Sequence, residues 1–162
     1  MTKDYFKELA EYNLWANNIV CNWLREINDE QWTQYVISSF NSVQETVLHI
    51  ISAENAWLER FYKNPVTVWI QTDYKGTKEE HIALWLKTSE KLKAFISEFD
   101  ENELQTKLDF KRLNGDAYSM PHYQLFAHVL NHSTYHRGQL TTMMRQVGFT
   151  KVGSTDLLGF YR

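Results

Sequence analysis

The sequence predicts an all-α fold, a four-helix bundle with a short β-hairpin between helices three and four. Three observations carry that prediction. Only two prolines, Pro65 and Pro121, interrupt 162 residues. The long stretches between breakers place apolar residues at helical spacing. Two of those stretches open on a capping box. Apolar residues make up 43% of the chain and aromatics 15%, six tryptophans among them, enough to bury a core within a single domain over 1–162.

The elements follow in order. A first helix runs from about Asp4 to Ile27, with Phe6, Leu9, Ala10, Asn13, Leu14, Asn17 and Val20 along one stripe and Trp23 and Leu24 beside it. The second follows the capping box Ser42-Val-Gln-Glu45 and runs to about Lys63, ahead of Asn64-Pro65. The third opens on Thr77-Lys-Glu-Glu80 and reaches about Phe99, turning Ile82, Leu86, Ser89 or Leu92, and Ile96 inward. The fourth begins near Ser119, with Pro121 suited to a first turn, and ends at Gly148. Between the third and fourth, TKLDFKRLNGDAYSM reads as a hairpin, with Leu108 and Phe110 on a strand and Asn114-Gly115 at the turn. In the tail STDLLGFYR, Ser154 or Thr155 opens one more turn of helix. Periodicity does not give the order in which the helices pack.

Composition narrows the function. A net charge of −3 and a pI of about 6.1 give no reason to expect nucleic acid or an anionic membrane surface. No run of about 18 apolar residues is present, so no membrane span is expected. The start, MTKDYFKELAEY, lacks the apolar core of a signal peptide. The one cysteine, Cys21, forms no intramolecular disulfide and fits a reducing cytoplasm; in helix one it reads as a small core residue. There is no H-E-x-x-H, no di-iron E-x-x-H, no CxxC, no Gly-rich phosphate loop and no G-x-S-x-G elbow.

Residues 128–139, HVLNHSTYHRGQ, put three of the chain's six histidines in one row, four residues apart. On a helical wheel Leu125, Val129, His132, His136, Gln139, Leu140, Met143 and Val147 share one face, with His128 at its edge. A lone histidine there would be a core residue bonded to a carbonyl or carboxylate. Two at i and i+4 stand about 6 Å apart and present two imidazoles to one ion. His128 and His136 are roughly 12 Å apart along the axis, too far to share it. His132 and His136 are the preferred pair.

A catalytic site usually has three protein ligands and an open position, so a third must come from another helix. His122 lies on the same helix and is too distant. His81, beside Glu79 and Glu80, is expected to face solvent. His49 sits at the margin of the second helix's apolar stripe, between Ala53 and Ala56, whose small side chains would let another helix come close. Glu54, near the centre of that stripe, needs a partner: a metal-bound imidazole, or a Trp or Tyr of the core. Gln139, a turn beyond His136, is placed to contact a ligand or a metal-bound water. Arg137 points to another face and is read as half of a surface or interface salt bridge.

The His of LHIISAENAWLER, the stretch N-H-S-T-Y-H-R-G-Q, the hairpin before it and the late Asp of STDLLGFYR together resemble the DinB/YfiT-like family, the damage-inducible bacterial proteins rather than the similarly named DNA polymerase. The likeness spans essentially the whole chain. It implies an up-down-down-up bundle, a homodimer, and His49, His132 and His136 as ligands of one divalent ion, zinc or nickel. His128 is then an extra histidine in the core or behind the ligands. The resemblance also implies a small-molecule substrate and a metal-dependent enzyme, such as a transferase using a low-molecular-weight thiol like bacillithiol or mycothiol. The alternatives are a hydrolase, or a non-catalytic stress-response protein with a structural metal.

Overall fold

A computed structural model describes residues 2–112 and 114–162. Its elements are α1 (Lys3–Glu26), α2 (Asp29–Thr33), α3 (Val43–Phe61), α4 (Ile70–Asp73), α5 (Lys78–Glu98), β1 (Lys107–Lys111), β2 (Ala117–Pro121), α6 (His122–Gln146) and α7 (Leu157–Phe160). The four long helices, α1, α3, α5 and α6, match the four expected segments. The short α2 and α4 were not anticipated.

Local chemistry sets the boundaries. Ser42 and Thr77 accept from the backbone N–H groups of Glu45 and Glu80. At Thr77 the Glu80 side chain reaches back to the cap's own N–H, completing the reciprocal box. The helix α6 starts three residues later than Ser119, because 117–121 pair with 107–111 as the antiparallel hairpin. It stops at Gly148, whose φ of 89° only glycine adopts freely; Gly148 and Phe149 donate to the carbonyls of Arg145 and Met144. In the hairpin, Phe110 stacks on Tyr118 across the strands, and Gly115 takes a φ of 90° in the connection. Leu113, inside the expected hairpin, lies outside the described residues. The tail caps α7 with Asp156, which accepts from the Leu158 N–H, rather than with Ser154 or Thr155.

Packing fixes the direction of each helix. The N–H of Lys3, at the start of α1, donates to Glu101 just beyond α5. Phe6 meets Phe126 near the start of α6. Phe61, at the end of α3, stacks on Phe95 near the end of α5 and meets Phe126. So α1 and α6 run one way and α3 and α5 the other, up-down-down-up. Both α1 and α3 pack against α5 and α6.

The core divides in two. One cluster gathers Val20, Leu24, Val47, Ile51, Trp85 and Met143; the other gathers Phe6, Phe61, Leu92, Ile96, Leu125 and Phe126. Between them lies a layer of buried polar side chains, Asn13, Asn17, Glu54, Ser89, Ser133 and Arg137. Glu54 Oε1 accepts from Asn13 Nδ2 at 3.0 Å, Asn17 Nδ2 at 3.2 Å and Ser133 Oγ at 2.8 Å, and Oε2 accepts from Ser89 Oγ at 2.7 Å. The same two asparagines turn their Oδ1 atoms to Arg137 Nη1. A buried carboxylate and a buried guanidinium thus compensate each other through two carboxamides, and one side chain of α3 is tied to all three other long helices.

Two expectations are corrected here. Arg137 is 1% exposed and belongs to this layer, not to a surface salt bridge. Burial lowers its pKa, while Tyr12 and Glu54 oppose the shift. His81 is also buried, at 1% exposure. Its Nδ1 donates to the Thr77 carbonyl one turn back, and its ring sits edge-on to Trp32 and Tyr74. Two acidic neighbours in sequence said nothing of the direction in which the ring points.

Candidate metal centre

The buried stripe of α6 runs through Phe126, Val129, Ser133, Arg137, Leu140 and Met144. The expected line from Leu125 to Met143 is buried as well, and the buried face is wider than the apolar residues alone indicate, because Arg137 and Ser133 point into the polar layer. His136 lies at the edge of the stripe, and His132, one turn back, is half-buried. That margin faces the N-terminal half of α3, where His49 is half-buried too.

The three imidazoles converge. Nε2 of His132 is 3.2 Å from Nε2 of His49 and 3.2 Å from Nε2 of His136. All three ligand atoms lie within 4.8 Å of one another. Two imidazole nitrogens, each about 2.0–2.1 Å from a tetrahedral ion, stand about 3.3 Å apart. The two pairs that share His132 stand at that spacing.

The second nitrogens decide which lone pairs are free. His49 Nδ1 is 3.0 Å from Gln71 Oε1, and His136 Nδ1 is 2.7 Å from Gln139 Oε1. An amide oxygen only accepts, so both Nδ1 atoms carry the proton and both Nε2 atoms present a lone pair. Gln139 is itself anchored, donating to Ser39 Oγ at 2.8 Å. It orients the His136 imidazole from behind. His132 Nδ1 is buried without a partner. With its proton on Nδ1, His132 would present a third lone pair 3.2 Å from the other two, an arrangement that a divalent ion among them would satisfy.

Burial depresses the pKa of each imidazole. His49 and His136 fall below their ordinary value, partly opposed by Gln71 and Gln139. His132 is pushed down to about 3, by burial first and then by His136, His49 and His128. At neutral pH all three are neutral imidazoles, the form that binds metal. Phe40 stacks on His49 with ring centroids 4.3 Å apart and covers one side of the cluster.

The remaining candidates lie around it. His128 is outside the cluster, edge-on to Trp57 at 5.3 Å. Its pKa is lowered by burial, then by Arg112 and Arg60. Glu54 bonds neither an imidazole nor an aromatic side chain. It reaches the site only through Ser133, the neighbour of His132. His122 is held by the Thr106 carbonyl at 2.9 Å, remote from the three. Sequence reasoning missed Gln71, which lies on the short α4 and shows no pattern, and the polar layer, whose signal was two asparagines within an apolar stripe.

A cleft of about 440 Å³ opens beside His49, within the range of small-molecule pockets. Ala53 and Ala56 form part of its floor, so these small residues make room for the cleft rather than for another helix.

The sequence profile of the DinB family matches residues 1–161. Protein DinB of Bacillus subtilis is 30% identical over 154 residues, covering 90% of this chain and 88% of that protein. The chain belongs to the DinB family. Two crystal structures share the DinB fold. One, a DinB-like protein of Bacillus cereus, superposes with a TM-score of 0.67 at 22% identity, over 86% of this chain and 90% of that one. The other, the DinB-like protein YjoA of B. subtilis, gives a TM-score of 0.68 at 17% identity, over 91% and 97%. Like the bundle, the DinB assignment follows from the whole chain and not from the histidines alone.

Proposed function

We propose that this DinB-family chain binds one divalent ion, zinc or nickel, through His49, His132 and His136, and that it is a metal-dependent enzyme acting on a small molecule. The observation that carries the reading is the convergence of three Nε2 atoms beside an open cleft, two of them fixed as lone-pair donors by Gln71 and Gln139, without a fourth His, Cys, Asp or Glu in the cluster among the described residues. Three protein ligands with an accessible remaining position is the pattern of catalytic sites, whereas structural sites close the fourth. An ion held there would supply Lewis acidity, lowering the pKa of a water or thiol that binds it.

The chain's own residues do the rest. Gln71 and Gln139 fix two imidazole tautomers. Phe40 shields the ring of His49. The floor of the cleft and the rings of Trp57 and Phe110 hold an organic group against the site. Cys21 is fully buried and its thiol is pushed up to about 12 by burial, so it is no nucleophile. A thiol taking part in the reaction must therefore arrive from outside, which suits transfer from a low-molecular-weight thiol such as bacillithiol. A homodimer in the cytoplasm completes the proposal, supported by the family resemblance and by the single buried cysteine.

Elemental mass spectrometry of protein purified without a polyhistidine tag tests the centre. About one ion per chain is expected for wild type and for His128→Ala, and near none for His49→Ala, His132→Ala or His136→Ala, on the reasoning that two imidazoles hold an ion poorly. Stoichiometric metal retained in all three ligand variants would sink the assignment.

A further inference from the structure

The cleft beside the histidines continues outward. Arg60, Trp69, Phe110 and Arg112 line it and also line a second hollow of about 780 Å³. Lys63, Lys107 and Lys111 join the arginines along that outer hollow, against a single carboxylate, Asp109. A chain of net charge −3 thus gathers five cations on one wall, next to its candidate reactive centre.

Arg60 is held in place, and Arg112 stands exposed on the hairpin loop. The Arg60 guanidinium lies over the ring of Trp57 at 4.7 Å and of Phe110 at 5.4 Å, and donates to the Lys111 carbonyl at 3.3 Å. The Arg112 guanidinium lies 5.9 Å from the Tyr118 ring. Among the described residues neither is in an ion pair, since the salt bridges found there are Arg25–Glu79 and Lys151–Glu26. Burial lowers the pKa of Arg60 and Arg112 lowers it further, as expected of like charges close together. Two guanidiniums lining one cleft, Arg60 over Trp57 and Phe110 and the exposed Arg112 near Tyr118, like in charge and lacking a carboxylate, offer donors that an anion would satisfy.

We infer that Arg60 and Arg112 form a subsite for the anionic end of a small molecule, a carboxylate or a phosphate, whose other end lies against His49, His132 and His136. This deepens the metal-site reading and rests on it for the reactive end only. The aromatic walls between arginines and histidines take the organic middle of the ligand.

Isothermal titration calorimetry with inorganic phosphate and, separately, with succinate tests the subsite. The proteins are wild type, Arg60→Gln, Arg112→Gln, His132→Ala and, as a control outside the cleft, Lys151→Gln. At least one probe is expected to bind wild type saturably. Either arginine variant should weaken that binding by roughly ten- to a hundredfold, as loss of a charge-assisted hydrogen bond implies. Lys151→Gln and His132→Ala should retain it. Binding of phosphate alone assigns the anion to a phosphate ester, and binding of succinate alone to a carboxylic acid. No saturable binding, or binding unchanged in both arginine variants, overturns the inference. So does binding lost in His132→Ala but kept in the arginine variants, since the anion would then sit on the ion. Should Arg60→Gln fail to fold, Arg112→Gln, on the exposed hairpin loop, decides alone. Metal content measured on the same samples keeps the two readings separate, because a protein without metal can still show arginine-dependent anion binding.

Discussion

At the scale of single residues, the determining feature is a pair of opposite charges that never touch. Glu54 and Arg137 communicate through Asn13 and Asn17, whose amide groups accept on one side and donate on the other. Removing one member leaves a buried charge without compensation, which costs about 3–5 kcal/mol. Arg137→Met and Glu54→Gln should each lower the stability measured by urea unfolding by about that much. The double variant should be less destabilised than the sum of the two. Losses below about 1 kcal/mol in both single variants would mean that the layer contributes little. The histidine row was legible in the sequence because imidazoles four residues apart on a helix have few other uses, whereas His49 stood out only as a candidate and joined the set through the family resemblance. Arg137 was not legible. The wheel was centred on the apolar residues, and only the contribution of Asn13 and Asn17 from another helix explains why a guanidinium belongs inside.

At the scale of elements, the long helices were legible because period and caps are local. The reciprocal Thr77–Glu80 box needs four consecutive residues to be recognised. Its removal is correspondingly local. Thr77→Ala should cost about 1 kcal/mol in urea unfolding, and Thr77→Ser should recover most of it. A cost near zero would show that α5 is held by packing alone. The short α2 and α4 were invisible because four or five residues carry no period, and they form here against the long helices. The consequence reaches the site, since α4 carries Gln71 and so fixes the tautomer of His49. The helix α6 begins three residues later than its local sequence indicates, for a related reason. The pairing that makes Ser119 part of a strand comes from Asp109, ten residues away, and no local propensity reports it.

For the whole molecule, the question is whether an ion held by the three histidines would fasten the bundle or use it. Two hydrophobic clusters and the polar layer join all four long helices without any contribution from the three imidazoles. Chelation should therefore leave the helical circular dichroism intact at about pH 7.5 and lower only the melting temperature, by the amount that binding to the folded state adds. The metal-free protein should then be sensitive to acid. In the unfolded chain these histidines titrate near 6.5. In the folded protein His49 and His136 titrate lower and His132 at about 3. Above about pH 6.5 neither state binds these protons and stability is flat. As pH falls from there towards 3, the unfolded chain takes up protons that the folded one does not, so stability declines. The urea midpoint of the chelated protein should drop between about pH 7.5 and 5.5, and His132→Ala should make that drop shallower. Unfolding on chelation at neutral pH would instead identify the ion as a structural clamp between α3 and α6, and the catalytic reading would fall with it.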